Sequence, residues 1–281
     1  KGRSLELYFI DGKPDGMLTA EVFNWTGHVL MTPRTQISDA LARREARYTG
    51  VYLLLGDKDG EPLAYITGHK EFYGLDLTVD SRVLVPRPDT ETLVDWALEV
   101  LTSTPGTEGS DLTAPLKTRV IDLGTGSGAI ALALKHARPS LQVSAVDFSA
   151  DALTVARSNA ERMKLDVAFS QGSWLDGVSG HFDAIVSNPP YIAAADQHLA
   201  ALTHEPLQAL ASGNDGLDDI RAIIRQAPQR LSSGGWLLLE HGYDQAATVR
   251  ALLTTAGLKN AQSRRDLAGI ERCSGARLPI T

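Results

Sequence analysis

Residues Thr118–Ala137 read TRVIDLGTGSGAIALALKHA. A short run rich in β-branched and apolar residues gives way to glycines at every second position, and then to a stretch of good helix formers. The pattern predicts a strand, a tight loop and a helix. Gly124, Gly126 and Gly128 fall at the junction, together with the acid Asp122. Glycine tolerates positive φ and lets a ligand approach the backbone closely, which a side chain would block. A G-x-G-x-G pattern alone also fits a plain tight turn, so the neighbouring text has to decide between them.

Outward from this loop, strand and helix signals alternate. LQVSAVD reads as a strand, SADALTVARSNAERM as a helix, and VAFSQG and FDAIVSNPP as strands. A loop and the helix LDDIRAIIRQAPQRL come next, then the strand GGWLLLEHG, the helix DQAATVRALLTTAG and terminal strands. This order predicts an α/β fold with a parallel sheet and helices on both faces. Ligands then bind beyond the carboxyl ends of the strands, near the switch in strand order. Asp147, at the end of the strand after the glycine loop, stands about 20 residues on, where an acid meets a ribose hydroxyl pair in nucleotide-binding folds. Dinucleotide enzymes carry G-x-G-x-x-G and hold a pyrophosphate. Here the loop is GTGSG, without the third glycine at that position.

A second feature closes another strand. In IVSNPPYI, residues 185–192, Pro189 and Pro190 lack amide hydrogens and fix φ, so Asn188 neither continues a strand nor enters a helix. Asn188 thus offers its side-chain amide, and Pro189 its carbonyl, at the sheet's carboxyl end. Two acceptors can converge on one NH2 group. Because the lone pair of such a nitrogen is delocalised, orienting its hydrogens aims the lone pair at an electrophile. Tyr191 is placed as an aromatic wall beside a cation. A structural Pro-Pro turn is the bland alternative.

The remaining text bounds these readings. The chain has 281 residues, 43% hydrophobic and 22% charged, with a net charge of −7, so it can bury a core and shows no broad electrostatic affinity for a phosphate backbone. Its one cysteine, Cys273, forms no intrachain disulfide, and no Cys and His cluster has metal-ligand spacing. No signal-peptide or membrane-spanning run stands out, which predicts a cytoplasmic protein. Residues 1–66 form an N-terminal region, 67–88 a hairpin-like connector ahead of the helix DTETLVDWALEVLTS with Asp89 or Thr90 near its start, and 89–281 the main domain. TQISDALARREARY reads as a helix and 104–115 as a polar loop.

DLGTGSG resembles the first motif of class I S-adenosylmethionine-dependent methyltransferases, and NPPY resembles the motif of those acting on planar amino nitrogens. GEPLAYITGHKEFYGLDLTVDSRVLVPRPDTETLVDWAL, VDFSADALTVARSNA, EPLQALASGNDGLDDIR and GGWLLLEHGYDQ further resemble HemK/PrmC protein-glutamine methyltransferases, from about residue 60 onward. The resemblance implies a Rossmann-like, mostly parallel seven-stranded sheet, S-adenosylmethionine as cofactor and no metal. It also implies N5-methylation of the glutamine in the Gly-Gly-Gln motif of class I peptide chain release factors, by a monomer with no stable nucleic-acid partner. By the same resemblance, Gly124, Thr125, Gly126, Ser127, Gly128, Asp147, Trp174 and Asn188 hold the cofactor. Asn188, Pro189, Pro190 and Tyr191 hold the substrate, with Asn188, Pro189 and Tyr191 as the catalytic set. The chain reads GSW where the family often has Gly-Asp-Trp, so Ser173 replaces an acid. Glu240 and His241 invite an acid-base reading, and a loop-positioning role competes with it.

Residues 1–59 do not resemble the small helical domain that usually opens this family. They resemble the start of some GIY-YIG nuclease-related proteins, with Gly50-Val51-Tyr52 and Tyr65-Ile66 as an imperfect motif pair and no recognisable catalytic Arg and Glu. The shared EPLAYI marks a fusion, a recombination or an assembly junction. Two alternative functions therefore stand beside the first: an N-methyltransferase acting on DNA or RNA bases, and a cofactor-binding protein with impaired turnover.

Overall fold

The computed structural model describes residues 61–102 and 118–280, and the strand backbones Ser4–Tyr8, Met17–Glu21 and Leu54–Gly56. The helix read over TQISDALARREARY, the loop at 104–115 and Gly50-Val51-Tyr52 lie outside the described residues. The chain forms two compact units, Lys1–Gly68 and His69–Thr281. In the first, β1 (Ser4–Tyr8) pairs antiparallel with both β2 (Met17–Glu21) and β3 (Leu54–Gly56). Helix α1 (Leu63–Thr67) contains Tyr65 and Ile66 and stops at Gly68.

The second unit opens with a hairpin, β4 (His69–Phe72) and β5 (Leu75–Thr78). Its turn is Tyr73-Gly74, both at positive φ (51° and 77°), the geometry that two-residue hairpins favour because it matches strand twist. Helix α2 (Glu91–Thr102) follows a 3-10 turn at Pro88–Thr90. The Tyr73 hydroxyl donates to Asp95 on α2 at 2.8 Å, which fastens the hairpin to that helix.

The main sheet has seven strands in the order β11-β12-β10-β9-β6-β7-β8. These are β6 (Arg119–Leu123), β7 (Gln142–Asp147), β8 (Val167–Gln171), β9 (Phe182–Ser187), β10 (Leu231–Glu240), β11 (Lys259–Arg265) and β12 (Glu271–Arg277). Strands β6 to β10 pair in parallel, and β12 runs antiparallel to β10 and β11. Helices α3 (Ala129–Ala137), α4 (Ala150–Met163), α5 (Asp218–Gln226) and α6 (Ala246–Thr255) make the crossovers. Helix α5 is shorter than the run LDDIRAIIRQAPQRL suggests. Pro228 cannot donate to a helical ladder, so Ala227–Gln229 closes as a 3-10 turn.

Alternation along the strands divides the core. Ile121, Leu123, Ile185, Leu237 and Leu239 face the buried isoleucines of α5 and Val249 and Leu253 of α6. On the opposite face Trp96 of α2 is fully buried, with its ring 6.2 Å from that of Trp236. Burial on both faces explains why the central strands read as nearly unbroken apolar runs.

The chain leaves β6 through α3 towards β7, and returns later to lay β9 on the other side of β6. The carboxyl ends of β6 and β9 are therefore neighbours, with Leu123 opposite Ser187. The Ser187 hydroxyl, fully buried, donates to the Leu123 carbonyl at 2.6 Å.

Trp96 sits so close to the sheet because β12 carries Gly275 beneath it. A Cβ there would lie 2.5 Å from Leu238 Cδ2, 2.8 Å from the Leu237 carbonyl oxygen and 3.0 Å from the Trp96 ring. Gly275→Ala should lower unfolding stability by about 1–3 kcal/mol through overpacking. Denaturant titration checks this, and an unchanged midpoint would mean that β12 can shift freely.

Candidate active site

The glycine loop is fastened before any ligand arrives. The Gly124 and Thr125 amides both donate to the Val146 carbonyl at the end of β7, at 2.8 and 3.0 Å. Asp147, next along, accepts from the Gly126 amide through Oδ2 at 2.8 Å and from the Ser149 amide through Oδ1 at 2.9 Å. Burial pushes this carboxyl up from its ordinary value, against the pull of those amides. Asp147 thus shapes the loop as well as facing the cavity.

Gly124, Gly126, Asp147, Trp174, Asn188 and Pro190 line one cavity at the carboxyl end of the sheet. Its two glycines serve it differently. A Cβ on Gly124 would come within 3.2 Å of the Trp174 ring, whereas one on Gly126 would point into open space. Substituting Gly126 would therefore fill room that a ligand needs, quite apart from the strain at φ +55°. Ser173 lines the same cavity.

Thr125, Ser127 and Gly128 are turned into the fold and do not line the cavity. The Thr125 hydroxyl donates to Asp122 Oδ2 at 2.6 Å, and the Ser127 carbonyl accepts from Asn159 Nδ2 at 3.0 Å. Gly128 lies against Leu132 and Ala156. Beneath the loop, Asn159 of α4 also grips β5, accepting from the Thr78 amide at 2.8 Å and donating to its carbonyl at 3.0 Å.

Asn188, Pro189 and Tyr191 line a second cavity with Leu84, Arg87 and Leu210. The two cavities share Leu84, Asn188 and Ala209. Buried Glu205 holds the walls together: it accepts from the Val85 amide at 3.0 Å and pairs with Arg87. The loop after Pro190 is anchored by Gln245, whose Nε2 donates to the Tyr191 carbonyl at 3.0 Å. Tyr191 lines the second cavity and not the first, because its hydroxyl is drawn down to Glu240 Oε1 at 3.3 Å.

Thr90 stands just before α2, as the sequence suggests, and turns its hydroxyl to the site. Asn188 Nδ2 donates to Thr90 Oγ1 at 3.2 Å, which leaves Asn188 Oδ1 as the atom available to a ligand. Sequence reasoning also missed Glu205 and Phe148. Phe148 follows Asp147 directly and lines the first cavity while 74% exposed, so an aromatic beside that acid was the available signal.

His241 is fully buried in a chain of bonds whose direction is fixed at both ends. Arg250 donates to Ser263 Oγ, Ser263 and Ser274 lie 2.7 Å apart, and Ser274 Oγ is 2.7 Å from His241 Nε2. Nδ1 faces the Gly242 carbonyl at 2.9 Å, which can only accept, so Nδ1 carries the proton and Nε2 accepts from Ser274. Burial holds its pKa below the ordinary value. His241 is a neutral support for the end of β10.

Residues 108–214 match the family described as Methyltransferase small domain. The release factor glutamine methyltransferase of Coxiella burnetii is 47% identical over 220 residues, covering 78% of this chain and 76% of that one. That of Burkholderia pseudomallei is 43% identical over 281 residues, covering 96% and 93%. Its alignment therefore reaches into residues 1–59. Among solved structures, a human methyltransferase 10 domain containing protein aligns with a TM-score of 0.54 at 17% identity, over 88% of this chain and 98% of that one. A methyltransferase from Pyrococcus furiosus aligns at 0.52 and 19% identity, over 74% and 90%. Both likenesses are of fold.

The carboxyl of Asp122, wholly buried under the loop, is pushed up to about 7 by desolvation, against the hydrogen bonds from Thr125 and Ala131. Its folded pKa exceeds its unfolded value of 3.8, so the folded state binds the extra proton between the two. Its contribution to stability therefore falls as pH rises from about 4 to about 7. Asp122→Asn should flatten this part of the pH dependence of thermal unfolding, and an unaltered slope would mean that Asp122 titrates normally.

Proposed function

The chain belongs to the release factor glutamine methyltransferase family, and from this we propose its reaction: transfer of a methyl group from S-adenosylmethionine to N5 of the glutamine in the Gly-Gly-Gln motif of class I peptide chain release factors. The observation that carries the reading is the meeting of two cavities at Asn188, one built on the glycine loop and Asp147, the other on Pro189 and Tyr191.

The residues fit the cofactor. Gly126 leaves open space where any side chain would intrude, Asp147 offers a carboxylate towards a ribose, and Trp174 and Phe148 supply apolar faces for a purine. When bound, S-adenosylmethionine supplies a methyl group on a sulfonium, the electrophile of an in-line displacement.

The protein's own task is positioning. A primary amide nitrogen is a poor nucleophile because its lone pair is shared with the carbonyl. Asn188 Oδ1 and the Pro189 carbonyl accept its two N–H bonds, which turns the remaining lobe of the nitrogen towards the first cavity. Holding reactants in an attack geometry can supply most of a barrier reduction, on the order of 7–11 kcal/mol, with no covalent intermediate. The nitrogen gains the methyl and releases one proton to solvent. Tyr191 and Arg87 border the substrate side, and Glu205 keeps that wall in place.

We read the chain as a monomer of the cytoplasm with no stable nucleic-acid partner. Its net charge of −7 supports the last point, and no helix among the described residues is long and apolar enough to cross a membrane. The division into residues 1–66, 67–88 and 89–281 is kept as our working map.

Incubation with S-adenosylmethionine and a Gly-Gly-Gln release factor should add one methyl group to that glutamine, as located by mass spectrometry. Methylation of DNA or RNA and not of the release factor would reverse the reading. Asn188→Ala should reduce kcat by about 100-fold or more while largely sparing cofactor affinity, because the glycine loop and Asp147 hold the cofactor. Calorimetry and steady-state kinetics together check this division of roles.

A further inference from the structure

Glu240 is 1% exposed at the end of β10 and lines neither cavity. A carboxyl so placed is costly unless its neighbours repay it. Those neighbours are informative. The Tyr191 hydroxyl donates to Oε1 at 3.3 Å, Oε2 is buried with no hydrogen-bond partner, and Thr90 is the strongest influence favouring the charged form of this carboxyl. Thr90, 4% exposed, has a single hydroxyl proton to place, and its oxygen already accepts from Asn188 Nδ2 at 3.2 Å. With that lone pair taken, the proton needs an acceptor elsewhere, and the Glu240 carboxylate is the acceptor at hand.

We propose that Glu240 is a positioning residue which, acting through Thr90, fixes the orientation of the Asn188 amide so that Oδ1 faces the substrate nitrogen. The inference rests on the glutamine methyltransferase reading and adds the source of its geometry. An asparagine amide has two nearly isosteric orientations, and only one presents an acceptor to an N–H donor. The ionised carboxylate accepts the Thr90 proton, Thr90 accepts from Nδ2, and Oδ1 is left for the substrate. A neutral carboxylic acid can donate to Thr90 instead. Thr90 then donates onward, the asparagine reverses, and an NH2 group confronts the NH2 of the substrate.

The direction of the chain thus depends on the charge of Glu240. Burial raises its pKa to about 7, opposed by Thr90, Arg272 and Tyr191 and reinforced by Asp89. On the β12 side Arg272 bridges Asp266 at 3.3 Å and Asp89 at 3.8 Å, and the adjacent Cys273 thiol is raised well above its ordinary value by burial and by Glu240. His241, the residue after β10, stays neutral, with Nδ1 carrying its one ring proton. Turnover should therefore increase as pH rises through about 7.

The experiment compares Thr90→Val, Thr90→Ser and Glu240→Gln with the wild type on a whole release factor at saturating S-adenosylmethionine. Methylation is read by mass spectrometry and cofactor affinity by calorimetry. Thr90→Val keeps the shape and removes the hydroxyl, so kcat should fall about tenfold or more with cofactor affinity nearly unchanged. Thr90→Ser should recover most of that loss. The wild-type kcat should climb through about pH 7, and that of Glu240→Gln should be low and flat. A Thr90→Val enzyme at wild-type kcat, a Thr90→Ser enzyme as impaired as Thr90→Val, or a flat wild-type profile overturns the inference and leaves the proposed function standing. Absence of release-factor methylation by the wild type overturns both.

Discussion

The pairing of Leu123 with Ser187 is the constraint on which the rest of the site depends. These residues end β6 and β9, the two parallel strands on either side of the switch in strand order, and the Ser187 hydroxyl closes the pair by donating to the Leu123 carbonyl. The next residue on one strand is Gly124 and on the other Asn188. A backbone register set deep in the sheet therefore decides that the glycine loop and the Asn188-Pro189-Pro190 loop lie side by side. A slip of one residue would exchange the side chains of the two faces, each packed against different helices, so the register is specified. The site inherits that precision.

Above this pair, polar side chains do the fastening. Asn159 takes the Thr78 amide and Arg162 on its oxygen and spends its two N–H bonds on Thr78 and Ser127, so hairpin, glycine loop and α4 meet at one amide. Glu205 draws Val85 and Arg87 together, and the chain from Arg250 to His241 steadies the end of β10. A buried polar group left without partners costs on the order of 1–3 kcal/mol, so groups satisfied in this way define one arrangement and penalise others. That rigidity suits a reaction in which the protein contributes position rather than a reactive group.

The parts legible in the sequence are those whose meaning is local. The run from Thr118 to Ala137 announces strand, loop and helix through adjacent residues, and Asn188-Pro189-Pro190 restricts its own backbone. Asp147 could be located because strand and helix lengths in a βαβ unit vary little. The partners of those residues were not legible. Thr90 lies 98 residues from Asn188, Glu205 lies 120 from Val85, and Asn159 lies 81 from Thr78. Thr90 read as a helix start because a threonine before a helical run has that local meaning, and nothing nearby reveals that a loop from β9 claims its hydroxyl. The tether of Tyr191 to Glu240 is illegible for the same reason, since it joins segments that only the fold brings together.

The central claim is that one residue, Asn188, joins a cofactor cavity to a substrate cavity and presents an acceptor to the amide that receives the methyl group. The most direct measurement is a crystal structure of the chain with S-adenosylhomocysteine and a Gly-Gly-Gln peptide. The account predicts the nucleoside over Gly124 and Gly126 with its ribose at Asp147, and the glutamine between Pro189 and Tyr191. It places the amide nitrogen within hydrogen-bonding distance of Asn188 Oδ1 and in line with the thioether sulfur. A glutamine bound away from Asn188, or a nucleoside outside the glycine-loop cavity, would contradict it.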